Sequence, residues 1–253
     1  MADNFRIDAH KLIFHPRRVS SWLSGEPVYP LYAELSPSGA CNHRCTFCAL
    51  DYMEYKPRFL KTDILKERLT EMGRLGLKSI MYGGEGEPFL HRDIAEIIVH
   101  TKRSGIDVGI TTNAVLLTPK LAEQILPSTS WIKVSLNAGT PETYSKVHRT
   151  KADDFNRVMD NLRQAVKIRD SQGSSCVLGA QILLLPENAH EVETLAEQAK
   201  AIGLAYVVVK PYSQHLKSKT QTYRDVDYAA FMDLKDKLAR FNDGRFQVIF
   251  RLA

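Results

Sequence analysis

The stretch Cys41-Asn42-His43-Arg44-Cys45-Thr46-Phe47-Cys48 holds three of the four cysteines of the chain in the spacing C-x3-C-x2-C. Three thiolates this close together on one loop can bind a thiophilic metal centre, either an iron–sulfur cluster or zinc. A structural zinc needs a fourth ligand, whereas a four-iron cluster held by three cysteines keeps one iron without a protein ligand. The stretch therefore predicts a metal centre directly after the first predicted strand.

The composition is typical of a globular protein in a reducing compartment. Of the 253 residues, 44% are hydrophobic and 25% are charged, a balance that argues against disorder. No apolar run approaches the roughly 20 residues that span a bilayer, and the charged residues close to Met1 do not fit a signal peptide. Three clustered cysteines and a lone Cys176 make a poor disulfide framework. We therefore expect a cytoplasmic protein with no membrane partner.

The net charge of +5 is modest. Lysines and arginines are spread along the predicted helices, as on an ordinary solvated surface, although the charge also suits an anionic cofactor or substrate. Because the basic residues form no tract, we do not expect a nucleic-acid partner.

Segments with strand character alternate with helical segments along the chain. The predicted strands are residues 31–35, 79–82, 107–112, 131–136, 177–185 and 206–210. The predicted helices between them are residues 62–76, 93–104, 119–125, 153–169 and 190–201. This alternation indicates parallel strands joined by right-handed crossovers, in either an open doubly wound sheet or a partial barrel. In both arrangements the ligand binds at the carboxyl ends of the strands.

The pattern divides the chain into three parts. Residues 1–30 are predicted to be an N-terminal extension with a short helix around residues 19–23, and residues 31–215 to be the core. Residues 216–253 are predicted to contain a helix at 225–241 and a strand-like stretch at 245–250. That stretch either pairs at the sheet edge or belongs to the start of a truncated further domain.

The cysteine spacing, with Phe47 directly before Cys48, resembles the signature of the radical S-adenosylmethionine (radical SAM) superfamily. The resemblance implies an α/β fold, a partial (βα)6 barrel of parallel strands. It also implies a [4Fe-4S] cluster on Cys41, Cys45 and Cys48, whose open iron binds the amino and carboxylate groups of S-adenosylmethionine (SAM). With a one-electron donor such as flavodoxin or ferredoxin, SAM would be cleaved to a 5′-deoxyadenosyl radical that takes a hydrogen atom from a small-molecule or peptide substrate.

Further segments similar to the family's pattern follow later strands. Gly83-Gly84-Glu85-Gly86-Glu87-Pro88 looks like the glycine-rich motif that holds the amino group of SAM. Because Gly86 lengthens this motif, the contact falls to Glu85 or Glu87, and we favour Glu85. The segments around Asn113 and Asn137 look like those that reach the rest of the cofactor. The cofactor contacts implied by the resemblance are Phe47, Gly83, Gly84, Glu85, Glu87, Asn113, Ser135 and Asn137.

A polar segment follows the sixth predicted strand. Lys210, Tyr212, Gln214 and His215 place a cation, a phenol, an amide and an imidazole at the same edge of the sheet. We interpret them as substrate contacts, with an ordinary polar loop as the alternative.

Two other residues could take part in metal or radical chemistry. His43 could complete a Cys3His zinc site, although we expect a solvated or backbone-bonded histidine. Cys176 opens the fifth strand at its amino end, opposite the expected site, and is predicted to be structural. The alternative function is a non-enzymatic zinc or iron–sulfur binding module that acts through a partner protein.

Overall fold

The computed structural model describes residues 9–251 and contains a sheet of seven parallel strands in sequence order. The strands are β1 (Tyr32–Leu35), β2 (Ser79–Tyr82), β3 (Asp107–Thr112), β4 (Trp131–Ser135), β5 (Val177–Leu184), β6 (Tyr206–Pro211) and β7 (Gln247–Phe250). A doubly wound sheet would reverse its strand order at a switch point. The sequential order is therefore that of a partial barrel, in which β1 and β7 are the edge strands.

Helices connect the strands and pack side by side along one face of the sheet. They are α2 (Thr62–Arg74), α3 (Ile94–Arg103), α4 (Pro119–Ile125), α5 (Pro141–His148), α6 (Asp153–Ser171), α7 (Val192–Ile202) and α8 (Leu234–Ala239), and a further helix, α1 (Pro16–Leu23), precedes β1. All six strands and five connecting helices predicted from the sequence are present, with ends that differ by at most two residues. Within residues 9–251, no helix is long and apolar enough to cross a bilayer.

The strands have two different faces. On β4, Ile132 and Val134 are fully buried against the helices, whereas Lys133 and Ser135 are half-buried. This alternation follows from the two-residue period of a strand. We call the face opposite the helices the inner face; its half-buried side chains include Met81, Thr111, Lys133, Ser135, Gln181 and Lys210.

Helix α5 was missed in the sequence analysis, although its start carries recognisable signals. The hydroxyl of Thr140 accepts a hydrogen bond from the backbone N–H of Thr143 (3.3 Å), and Pro141 occupies the first turn. A threonine cap followed by proline is a typical helix start. The helix has only eight residues, so its apolar periodicity is short.

The C-terminal part differs from the prediction for residues 225–241. Instead of one helix there is a 3-10 turn, Tyr228–Phe231, and then the short helix α8. The Tyr228 hydroxyl accepts a hydrogen bond from the backbone N–H of Tyr212 (2.9 Å), which ties the turn to the end of β6. The stretch at 245–250 pairs at the sheet edge, since β7 lies parallel to β6. The domain boundaries stay predictions, and residues 1–8 and 252–253 lie outside the described residues.

Candidate active site

The cysteine loop, residues 41–48, follows β1 and is bonded to the end of α5. The backbone N–H of Arg44 donates to the carbonyl of His148 (3.1 Å), and that of Thr46 donates to the carbonyl of Val147 (2.8 Å). The last carbonyls of a helix have no partner within the helix. The loop supplies these partners, so α5 fixes its position at the carboxyl edge of the sheet.

His148 also contacts the middle cysteine directly. Its Nδ1 lies 3.2 Å from Cys45 Sγ, and its Nε2 accepts a hydrogen bond from the backbone N–H of Asn137 (3.3 Å). An accepting ring nitrogen carries no hydrogen, so the hydrogen is on Nδ1, which donates to the sulfur. Burial lowers the pKa of His148 well below its usual value, which keeps the ring neutral.

The spacing of the potential ligands discriminates between one metal ion and a cluster. Within the described residues, one group of three ligand atoms lies within 4.8 Å of one another: Cys45 Sγ and ring nitrogens of His43 and His148. The sulfurs of Cys41, Cys45 and Cys48 do not form such a group, so the three are not gathered around the position of one metal ion. A four-iron cluster is held at three separate corners and needs wider spacing. Since His148 carries its hydrogen on Nδ1, it is a poor ligand for zinc beside Cys45.

The surroundings of Cys41 and Cys45 suppress the ionisation of their thiols. Burial raises the pKa of Cys41 to about 11, and it raises that of Cys45 well above the usual value. Cysteine binds metals as the thiolate, and a metal cation deprotonates a coordinating thiol. Cys41 and Cys45 are therefore thiols that a bound metal centre would deprotonate, and the ligand set Cys41, Cys45 and Cys48 stays a prediction.

His43 is placed differently from the prediction. It is only 1% exposed, and neither ring nitrogen has a hydrogen-bond partner among the described residues. Asp154 Oδ2 lies 3.7 Å from His43 Nε2, beyond hydrogen-bond distance. The expectation of a solvated or backbone-bonded histidine was wrong, because the ring packs against Tyr144 and His148 of α5. Burial lowers the pKa of His43 to about 4.

The glycine-rich segment runs directly beside the cysteine loop. A Cβ on Gly86 would lie 2.2 Å from the carbonyl oxygen of Ser38 and 2.4 Å from that of Ala40. Only glycine allows so close an approach. Gly83 and Gly84 precede it in the turn after β2, where Gly84 has a φ of 98°.

Glu87 is buried and bonded to the end of β3. Its carboxylate accepts hydrogen bonds from the Thr112 hydroxyl (2.6 Å) and from the backbone N–H groups of Asn113 (2.8 Å) and Phe89 (3.1 Å). Burial raises the pKa of Glu87 to about 7 against the opposing effect of these donors. Glu87 thus joins the ends of β2 and β3.

Glu85 has a more open environment. Its side chain is 24% exposed, and Oε2 lies 3.2 Å from Arg58 Nη2. Its backbone N–H donates to the Ser36 hydroxyl (3.2 Å), which places Glu85 beside the segment that leads into the cysteine loop. Of the two glutamates, Glu85 keeps an accessible carboxylate, in agreement with our preference; its contact with SAM stays a prediction.

The asparagines after β3 and β4 hold neighbouring loops. The Asn113 side-chain N–H donates to Asn42 Oδ1 (2.7 Å), and so joins β3 to the cysteine loop. Asn137 Oδ1 accepts from the backbone N–H of Leu183 on β5 (2.7 Å). Ser135 ends β4 on the inner face. All three lie at the predicted edge of the sheet, and their contacts with the cofactor stay predictions.

Phe47 belongs to a small apolar cluster beside the cysteine loop. It is 8% exposed and packs with Val147, Leu185, Tyr212 and Tyr223. The Tyr212 and Tyr223 rings meet edge to face, with centroids 5.7 Å apart. The cluster excludes water from one side of the loop.

Residues 212–223 lie over the continuation of the cysteine loop. Asp51 accepts hydrogen bonds from the backbone N–H groups of Lys219 (2.7 Å) and Thr220 (2.8 Å) and from the Ser218 hydroxyl (3.2 Å). Although burial opposes it, the net effect of these bonds is a lowered pKa for Asp51. In the same segment, the His215 ring stacks on Tyr52 at 5.2 Å.

The predicted substrate residues separate into two places. Lys210 lies on the inner face, whereas Tyr212, Gln214 and His215 lie in the segment over the cysteine loop. The Gln214 side-chain N–H donates to the carbonyl of Thr220 (3.0 Å), which helps to fold that segment. His148, which contacts Cys45, and Asp51, which bonds residues 218–220, were not among the predicted site residues.

Comparison with known proteins agrees with this geometry. The sequence profile of the radical SAM superfamily matches residues 35–199. The chain belongs to the radical SAM superfamily. The cofactors of this radical SAM chain are accordingly a [4Fe-4S] cluster and SAM, which the three cysteines and the neighbouring glycine-rich segment fit. Two solved radical SAM structures contain SAM: SuiB of Streptococcus suis and anSMEcpe.

About a third of the aligned residues are identical between this chain and two curated relatives. A probable GTP 3′,8-cyclase of Methanocaldococcus jannaschii is 28% identical over 188 residues, 72% of this chain and 60% of that protein. A probable GTP 3′,8-cyclase of Saccharolobus solfataricus is 34% identical over 147 residues, 57% of this chain and 46% of that protein. The radical SAM chain described here thus spans 60% or less of the length of these relatives.

Solved structures show the same fold at lower identity. SuiB bound to the precursor peptide SuiA has a TM-score of 0.69 and 20% identity, and the match covers 100% of this chain and 57% of SuiB. The structure of anSMEcpe with bound SAM has a TM-score of 0.64 and 17% identity to this chain. The match covers 87% of this chain and 64% of the anSMEcpe chain. The radical SAM core of this chain therefore has a partial barrel fold shared with these enzymes.

Proposed function

We propose that this chain is a radical SAM enzyme that cleaves SAM reductively and thereby takes a hydrogen atom from a small-molecule or peptide substrate. The observation that carries the proposal is the cysteine loop, whose three sulfurs do not form a group close enough to share one metal ion. The loop lies at the carboxyl edge of a parallel sheet, where ligands of such folds bind. Membership of the radical SAM superfamily supports the same conclusion.

Three cysteines hold the cluster in this proposal. When bound, the cluster and SAM supply a one-electron cleavage of the carbon–sulfur bond that yields methionine and a 5′-deoxyadenosyl radical. The electron comes from an external donor such as flavodoxin or ferredoxin. The chain itself contributes Cys41, Cys45 and Cys48 as ligands and His148 as a hydrogen-bond donor to Cys45.

The other residues of the site bind, orient and exclude water. Glu85 accepts hydrogen bonds from the ammonium group of SAM, since it keeps an accessible carboxylate. Glu87 orders the backbone around it through three internal hydrogen bonds. Phe47 keeps water from one side of the cysteine loop. The remaining proposed cofactor contacts are Gly83, Gly84, Asn113, Ser135 and Asn137.

The substrate binds on the inner face and under residues 212–223. The relatives named GTP 3′,8-cyclase support a small-molecule substrate, and SuiB with its bound precursor peptide supports a peptide. Lys210, Tyr212, Gln214 and His215 are the proposed contacts. A cytoplasmic location is part of the proposal, because a reducing compartment keeps the four cysteines free, as they are in the structure.

Anaerobic reconstitution followed by reduction with SAM tests the proposal. We expect about four irons per chain and release of 5′-deoxyadenosine. Cys45→Ala should abolish this product. Cys176→Ala is the matched control, because Cys176 is buried at the amino end of β5, away from the loop, and should keep the product.

Two outcomes would contradict the proposed function. One is 5′-deoxyadenosine at the wild-type level from Cys45→Ala. The other is one zinc per chain and no visible iron–sulfur absorbance after reconstitution, which would favour the non-enzymatic module.

A further inference from the structure

The inner face of the sheet is filled at its amino end by aromatic rings. Trp131 on β4 covers Gly109 on β3, where a Cβ would lie 2.2 Å from the indole. Tyr206 on β6 covers Gly179 on β5 in the same way, at 2.3 Å. These rings form a floor at the amino end of the inner face, opposite the carboxyl end where the cysteine loop lies.

Two lysines lie above this floor. Lys133 follows Trp131 on β4, and its Nζ is 5.8 Å from the centre of the indole ring, within cation–π distance. Lys210 lies near the end of β6. Both side chains point to the inner face, because their strand neighbours Val134 and Val209 are fully buried on the helix side.

Within the described residues, neither lysine has a carboxylate within ion-pair distance. Burial lowers the pKa of Lys133, and the charges of Lys210 and Arg251 lower it further. Arg251 is adjacent to β6, since its backbone N–H donates to the carbonyl of Val209 (2.8 Å). Glu34 on β1 is the opposing charge near Lys133, and its carboxylate also accepts a hydrogen bond from the Tyr32 hydroxyl (3.0 Å).

A half-buried group of like charges is unfavourable until an anion compensates it. Ammonium groups bind phosphate and carboxylate oxygens through charge-assisted hydrogen bonds. Ser135 and Gln181 are register partners on the same face and are half-buried, so they add neutral donors beside the lysines.

We propose that Lys133 and Lys210 form a subsite for an anionic group of the substrate, a phosphate or a carboxylate. The inference rests on the proposed function and names the substrate class that the inner face accepts. The anionic end of the substrate lies near the aromatic floor, and its reacting carbon points towards the cysteine loop.

Tryptophan fluorescence gives a direct readout of this subsite. The chain has two tryptophans, and Trp22 is 65% exposed on α1, so Trp22→Phe leaves Trp131 as the reporter. The reconstituted protein with saturating SAM is titrated with inorganic pyrophosphate and, separately, with malonate at constant ionic strength. We expect a saturable change in Trp131 fluorescence. Saturation by pyrophosphate alone assigns a phosphate, and saturation by malonate alone assigns a carboxylate.

Lysine variants locate the binding. Lys133→Met and Lys210→Met should each weaken the binding at least about tenfold, the usual effect of losing one hydrogen bond to a charged group. Lys167→Met is the matched control, because Lys167 is exposed on α6 and its loss removes the same charge. It should leave the binding unchanged.

Three results would overturn the subsite: no saturation with either anion, equal weakening by Lys167→Met, or competition of the anion with SAM. Measuring 5′-deoxyadenosine in the same samples separates this inference from the proposed function. If SAM is cleaved and no anion binds, the subsite is wrong and the function stands. If Lys133→Met does not load its cluster, the wild-type titration and Lys210→Met decide.

Discussion

Buried polar groups have hydrogen-bond partners on the cofactor side of the site, whereas the lysines on the inner face of the sheet have no ion pair within the described residues. At the ends of β2 and β3, the carboxylate of Glu87 has three donors, and Asn113 is bonded to the cysteine loop. On the inner face, Lys133 and Lys210 have no ion pair within the described residues. A paired polar group fixes the backbone, whereas an unpaired one is costly until a ligand binds. The chain therefore builds the cofactor side by itself and leaves the inner face to be completed by a ligand.

The largest effect should come from breaking the internal bonds of the cofactor side. Glu87→Ala leaves the Thr112 hydroxyl and two backbone N–H groups without their acceptor. We expect a loss of about 2–4 kcal/mol of unfolding free energy, or a fall of roughly 5–15 °C in the thermal midpoint of the reconstituted protein. Anaerobic differential scanning calorimetry measures it.

Glu85→Ala is the matched control in the same segment. Because Glu85 is partly exposed, its loss should change the midpoint by less than about 2 °C. It should instead raise the KM for SAM about tenfold, as expected when an ammonium loses its carboxylate. A large midpoint loss in Glu85→Ala, or none in Glu87→Ala, would reverse the roles assigned to the two glutamates.

A smaller effect follows from the pKa of Glu87, which burial raises to about 7 from 4.5. Between these values the folded protein holds a proton that the unfolded chain has released, so the contribution of Glu87 to stability is complete below pH 4.5 and is lost as the pH rises through 7. Glu87→Gln cannot titrate. The midpoint difference between wild type and Glu87→Gln should therefore shrink between pH 5 and 8. A difference that is constant over this range would show that the folded-state pKa of Glu87 does not lie near 7.

The smallest effect concerns the donor to Cys45. His148→Gln removes the Nδ1–H that donates to the sulfur. Hydrogen bonds to cluster sulfurs favour the reduced, more negative state and so raise the reduction potential. We expect the potential of the variant to fall by roughly 20–60 mV, which corresponds to about 1 kcal/mol in a one-electron couple. An anaerobic redox titration followed by electron paramagnetic resonance measures it.

His190→Gln is the control for this titration, because His190 is 73% exposed and far from the cysteine loop in sequence. An unchanged potential in His148→Gln would show that the contact only positions the loop. Equal shifts in both variants would show that the effect is not specific to the sulfur.

Local patterns were sufficient to predict the strands, most helices and the edge of the sheet where the site lies. The two-residue alternation that buries Ile132 and Val134 can be recognised from the sequence alone, and so can the spacing of the cysteines. The order of the strands settled the choice between a doubly wound sheet and a partial barrel.

Long-range contacts could not be predicted in this way. His148 is 103 residues from Cys45 in sequence, and it lies in a helix too short for a clear periodicity. His43 was expected to be solvated because nothing within its own loop shows that α5 covers it. Lys133 looks like an ordinary strand residue until the fold places it on the inner face above Trp131, where the charge of Lys210 acts on it.

The three hydrogen bonds of Asp51 have a thermodynamic consequence for the whole site. They join the segment after Cys48 to residues 218–220, which lie beyond the end of β6. A displacement of the cysteine loop must either carry this segment along or break those bonds. Binding at the cysteines and binding under residues 212–223 are thus linked, and by reciprocity each changes the affinity of the other by the same factor.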